Sequence, residues 1–190
     1  MKRPKIEMNA PVVVSFTVLS FLVLLFGYAT HGASTTAYFT CTRTSFTDPM
    51  MYVRMFTYIF GHSDMTHYVG NFTSIILLGP ILEEKYGSKA LLVMILVTAL
   101  VGGLANVLLT TAGLRGASGI VFLFIILCSC TSVKSGTIPV TMILVVAIYI
   151  GQEVMAGLAT SDDISQLTHI LGGICGILFG LFYKPGEKSA

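Results

Sequence analysis

The sequence predicts an all-α polytopic membrane protein of six transmembrane helices, and three observations predict it. Hydrophobic residues fill 54% of the 190 positions and charged residues only 11%, against about 25% charged in ordinary soluble domains. Mean hydropathy is +0.84. Cut at its charges, the chain falls into six uncharged windows, 8–42, 65–82, 90–114, 116–133, 135–152 and 164–183. Each can hold the roughly 17 to 25 helical residues that a hydrocarbon core requires.

The first window carries Pro11 to Ala29, 19 residues behind Lys2, Arg3 and Lys5. That stretch exceeds a signal-peptide core and no small-x-small site closes it, so an uncleaved anchor helix is expected. Residues 30–64 form a connection far longer than a helix–helix turn, which predicts a loop with structure of its own. The second window opens after Asp64 and carries His67 and Asn71. The third runs between Lys89 and Arg115, and the fourth starts behind Arg115 and holds Ser118. The fifth lies between Lys134 and Glu153, and the sixth holds His169 with Gly172, Gly176 and Gly180 below it. None alternates with the two-residue period of a membrane barrel strand, so each is expected as a helix whose backbone satisfies itself. With no internal repeat or low-complexity tract, one six-span domain over residues 1–190 is expected, without a separate soluble domain.

Basic residues set the expected orientation. With a cytoplasmic N-terminus, the inside segments hold Lys2, Arg3, Lys5, Lys85, Lys89, Lys134, Lys184 and Lys188, and the outside segments hold Arg43, Arg54 and Arg115. The reading is a multi-pass protein of the cell membrane with both termini cytoplasmic. A net charge of +2 is too small to point to nucleic acid. Cys128, Cys130 and Cys175 fall inside apolar windows and only Cys41 lies in an outside loop, so neither a disulfide framework nor a metal site is expected. No cofactor is implied.

Polar side chains inside spans are costly and tend to face the bundle or a water-filled cavity. Four stand out: His67, Asn71, Ser118 and His169. All lie near the starts of even-numbered spans, which run from outside to inside. Counted from Asp64, Arg115 and Asp163, they sit about 5 to 10 Å below the outer helix ends at 1.5 Å per residue. Acyl transfer needs a nucleophile, a base and donors aimed at an oxyanion. Ser118 and His169 supply the first pair if the fourth and sixth helices touch, and the Gly172, Gly176 and Gly180 ladder with Gly119 favours that approach. Gly116 and Gly119 flank a serine at a helix N-terminus, where free N–H groups favour an oxyanion. His67 and Asn71, at i and i+4, could add donors. No Asp or Glu shares that depth, so a Ser-His dyad is expected rather than a triad.

At these residues the sequence resembles the rhomboid family of intramembrane serine proteases. The resemblance covers residues 54–180, with a core of about 54–183. It rests on Arg54, "GHSDMTHYVGNF", "EEKYG" with Glu83 and Gly87, "GASG" and "HILGGICG". It implies a six-helix rhomboid-like bundle, a serine-type endopeptidase, Ser118 as nucleophile and His169 as base. His67, Asn71 and the Ser118 N–H would form the oxyanion hole. Arg54, His62 and Glu83 would be structural supports, alongside Gly116, Gly119, Phe122, Gly172 and Gly176. The implied partners are the lipid bilayer and single-span membrane protein substrates entering between the second and fifth spans. The sequence departs from the family at Leu114 and Arg115, where Gly-Phe is frequent, at Phe122, where a tyrosine often stacks on the histidine, and at Val53, where a tryptophan is common.

Two other readings follow from the same residues. A proteolytically inactive rhomboid-like protein that binds membrane clients would usually lack the serine or the histidine, and both are present. A small transporter would place polar groups at several depths, including the midplane.

Overall fold

The computed structural model describes residues 7–130, 137, 139–159 and 163–183. Lys2, Arg3, Lys5, Lys134, Lys184 and Lys188, which carry much of the orientation argument, lie outside the described residues. The helices are α1 (Pro11–Ala29), α2 (Ala33–Tyr38), α3 (Pro49–Thr57), α4 (Met65–Tyr86), α5 (Ser88–Leu109), α6 (Ser118–Ser129), α7 (Val140–Ala159) and α8 (Asp163–Phe182), with a 3₁₀ turn over Tyr58–Phe60. Each of the six windows holds one long helix, and the 30–64 connection holds α2, α3 and the 3₁₀ turn. Among the described residues there is no strand. One isolated antiparallel bridge joins Cys41 to Leu114.

Two helices overrun the expected limits because charged residues do not end them. α4 continues past Leu82 through Glu83, Glu84 and Lys85, and the reason is on α1. Ala10, which precedes α1, offers no side-chain cap. The two oxygens of the buried Glu83 carboxylate instead accept the N–H groups of Val12 at 2.9 Å and Val13 at 3.0 Å, two of the donors that every helix start leaves without a partner. α7 starts at Val140, directly after Pro139, and runs past Glu153 to Ala159, so it is displaced from the expected 135–152. Proline, which has no N–H to give, sits readily at a helix start.

α6 departs the other way, spanning 12 residues, or about 18 Å. It packs against α4, α5 and α7, and most extensively against α8. Gly119, Ile120, Val121, Leu123, Phe124, Ile126 and Leu127 are buried, and Ser118, Phe122, Ile125 and Ser129 form one half-buried face at helical spacing. α1 and α5 are each long and apolar enough to cross a membrane. They turn Leu19, Leu22, Phe26, Val93, Leu104 and Leu108 outward, a band suited to lipid.

Backbone proximity holds α6 against α8. A Cβ added to Gly172 would collide with the Gly119 carbonyl oxygen, and one on Gly176 would stand 2.9 Å from both Leu123 O and Ile126 Cβ. Gly180 instead lies against the Cys130 side chain, just beyond α6. Small residues four apart let helices in lipid approach to backbone contact.

Candidate active site

α4 is capped by Asp64, whose Oδ1 accepts the His67 N–H at 2.9 Å while Oδ2 accepts the Ser63 hydroxyl at 2.7 Å. The His67 N–H, followed by the Ser63 hydroxyl, holds the Asp64 carboxyl below its usual range. This cap sets the first turn, so His67 and Asn71 project one turn apart from the same face. His67 Nδ1 lies 3.2 Å from Ser63 Oγ.

His62 fixes the Asn71 side chain. His62 Nδ1 is 3.2 Å from the Phe60 carbonyl and Nε2 is 3.1 Å from Asn71 Nδ2. A carbonyl only accepts and an amide nitrogen only donates, so the proton sits on Nδ1 and Nε2 accepts from Asn71. Burial, followed by the neighbouring His67, pushes the His62 pKa down to about 4, which keeps it neutral and able to accept. The sequence contained His62 within the same polar cluster, but it lies outside the apolar window and was expected only as a support.

The segment before Ser118 is not helical, and its path corrects one expectation. Ser118, expected at a helix N-terminus, is the first residue of α6, whereas the count that set it three residues below the helix end does not hold. Its level is set by the loop. Leu114 exchanges N–H···O bonds of 2.9 and 2.8 Å with Cys41, and the Gly116 N–H donates to Tyr58 O at 3.0 Å. Asn106 Nδ2 donates to Cys41 O at 3.0 Å and Ala112 O at 3.1 Å, which holds the end of α5 to the same segment. Gly116 has φ +119°, and a Cβ there would stand 2.7 Å from His67 Nε2 and 3.7 Å from Asn71 Nδ2. One turn of backbone thus lies directly against both side chains, and only a residue without a Cβ fits.

On the other side, a Cβ on Gly119 would stand 3.0 Å from Thr168 Cγ2. The Phe122 and His169 rings stack in parallel, 4.4 Å between centroids and 9° apart. Ser118 and Phe122 are i and i+4, so His169 lies along the Ser118 face of α6. Ser118, His67 and His169 are each half-buried, whereas Asn71 is buried. The four polar residues singled out from the sequence therefore converge on the start of α6 from α4 and α8.

The supports lie around this centre. Arg54 Nε donates to Ala37 O at 2.8 Å, and its guanidinium is 3.6 Å from Asp48, which caps α3 through Met50 N–H at 2.9 Å. Glu83 lies at the far end of α4, on α1. Cys41 lies in the connection between α2 and α3 yet is fully buried, and burial pushes its thiol up to about 11. All four cysteines are free.

A helical bundle with a polar cluster at the start of α6 defines an all-α membrane protein with a candidate site inside its bundle. Compared with known protein families, the chain matches the Rhomboid domain over residues 49–185, well over half its length, and it belongs to the rhomboid family. No curated protein matches it.

Proposed function

We propose that this protein is an intramembrane serine endopeptidase working through a Ser118–His169 dyad. The observation that carries the reading is the convergence of Gly116, His67, Asn71 and the Phe122-stacked His169 ring on the first residue of α6. His169 takes the Ser118 proton as Oγ attacks the scissile carbonyl carbon. The oxyanion is met by the Ser118 N–H, free because a first-turn donor has no intrahelical acceptor, and by His67 and Asn71. The imidazolium then protonates the leaving amine, and water hydrolyses the acyl-enzyme by the same steps in reverse order. Phe122 holds the His169 ring by stacking and offers it no hydrogen bond.

The substrate of this reading is a single-span membrane protein. A cavity of about 540 Å³ between α4, α6 and α7, lined by Leu77, Leu78, Ile125, Cys128, Ser129 and Val145 among others, suits a side approach between the second and fifth spans. Arg43 bonds the carbonyls of Val107 and Leu108 at one end of α5, and Lys89 lies at its other end. The orientation of this reading, with cytoplasmic termini and a centre near the outer surface, rests on the excess of Lys and Arg that the sequence places in the segments away from the site.

The test is cleavage of a single-span peptide with a small-residue juxtamembrane segment by the purified protein. Ser118→Ala and His169→Ala are each expected to lose at least about 10²-fold in rate with unchanged expression and thermal midpoint. Wild-type rates in either variant would refute the dyad.

A further inference from the structure

Three arginines lie at the site end of the molecule, and two are occupied. Arg43 bonds the last carbonyls of α5, and Arg54 is held by Ala37 O and Asp48. Arg115 is different. It is exposed, and among the described residues its guanidinium has neither a hydrogen bond nor an ion pair. It lines a cavity of about 250 Å³ together with Tyr28, His31, Thr35, His62 and Ser63. The one carboxylate nearby, Asp64, is already bonded to the His67 N–H and the Ser63 hydroxyl.

The cavity adjoins the centre described above. Ser63 contacts His67 and His62 contacts Asn71, at 3.2 and 3.1 Å, so the wall of one is the support of the other. Arg115 precedes Ser118 by three residues, and three residues span at most about 10 Å. A side chain seated on Arg115 therefore belongs to a substrate residue two or three positions from the scissile bond. A guanidinium presents a planar fork of donors that matches a carboxylate in two parallel bonds.

We propose that Arg115 and this cavity form a specificity subsite that recognises an acidic side chain, Asp or Glu, in the substrate's outer juxtamembrane segment. The inference deepens the protease reading and names what the enzyme selects. The hydroxyls of Tyr28 and Thr35 border the cavity and can donate to the carboxylate without competing for the guanidinium, whereas Ser63 has already given its proton to Asp64.

The experiment separates the two readings. Fluorescent single-span peptides that differ only in carrying Asp, Asn or Lys at one outer juxtamembrane position, scanned over the first four, are titrated in zwitterionic micelles. Binding is measured to the Ser118→Ala variant, which needs no turnover, and cleavage is measured with the intact protein. At one position the Asp peptide is expected to bind on the order of tenfold more tightly than the Asn peptide. Adding Arg115→Glu is expected to reverse the preference toward Lys, and Arg115→Gln to abolish it. Equal binding of all three peptides at every position overturns the subsite, and continued cleavage then leaves the protease reading intact. Charge-selective binding without any Ser118-dependent cleavage supports the subsite and sinks the protease reading. If Arg115→Gln instead weakens only retention on phosphatidylglycerol vesicles and leaves peptide selectivity unchanged, the group is a lipid contact and the proposal fails.

Discussion

Gly116→Ala adds one methyl group to the loop before Ser118, and its cost can be worked from the surroundings. At φ +119° the backbone occupies a region that residues with a Cβ rarely adopt, and such strain costs of order 1–3 kcal/mol. The new Cβ would stand 2.8 Å from His67 Cε1, whereas relaxed carbon pairs sit about 3.5 to 4.0 Å apart. The loop and the His67 ring must therefore separate by roughly 0.7 Å, and a misplacement near 1 Å costs on the order of 10²-fold in rate. The expected result is a fall in kcat of about 30- to 100-fold against a single-span peptide, with substrate affinity nearly unchanged. Gly70→Ala is the matched control. It adds the same methyl group to α4, where nothing lies within 4 Å, and alanine favours the helix by up to about 1 kcal/mol. Wild-type kcat in Gly116→Ala, or an equal loss in Gly70→Ala, would refute the reasoning that the loop is fitted to His67.

Gly172→Leu and Gly176→Leu are expected to lower the thermal midpoint in detergent and to reduce cleavage by about 10²-fold or more, because each side chain meets α6 backbone and separates His169 from Ser118. Normal midpoints with normal cleavage in both would mean that the α6–α8 contact is dispensable. For His62, the value of about 4 lies below the ordinary 6.5, so its neutral form carries no penalty above pH 6.5. The folded state loses stability as pH falls from there through 4, by roughly 3 kcal/mol in full. His62→Gln, which keeps an acceptor but does not titrate, is expected to flatten the drop in thermal midpoint between pH 6.5 and 4; an unchanged drop would exclude His62 as its source.

Much of this architecture was legible because lipid leaves so little choice. Continuously apolar windows of 18 residues or more favour helices, and among the described residues each of the six holds one helix of 12 residues or more. The limits were less legible. Cutting at charges assumes that a charge ends a helix, and Glu83 breaks the assumption because its carboxylate is satisfied by α1 rather than by water. Ser118 was found for a reason that proved incomplete. A helix N-terminus at Ser118 was legible from the flanking glycines, but its depth was not, because α6 starts there and its level is set by contacts of the preceding loop with Tyr58, Cys41 and His67. Cys41 and Leu114 are 73 positions apart and no local pattern announces their pairing. The close approach of Gly172 to Gly119 was legible, since a glycine every fourth residue in a span has few other uses.

The bond between Glu83 and the start of α1 bears on where this protein can be cut. The family match begins at residue 49, whereas both N–H groups that satisfy Glu83 come from residues 12 and 13. A chain trimmed to the matched region would keep the carboxylate and lose its partners. A buried charge stripped of its partner typically costs about 3–5 kcal/mol, comparable with the entire stability of many domains. We propose on this ground that α1 and the matched region fold as one cooperative unit. Deleting the first helix would then destabilise a carboxylate at the opposite end of α4 from His67, in a region that sequence similarity alone treats as self-sufficient.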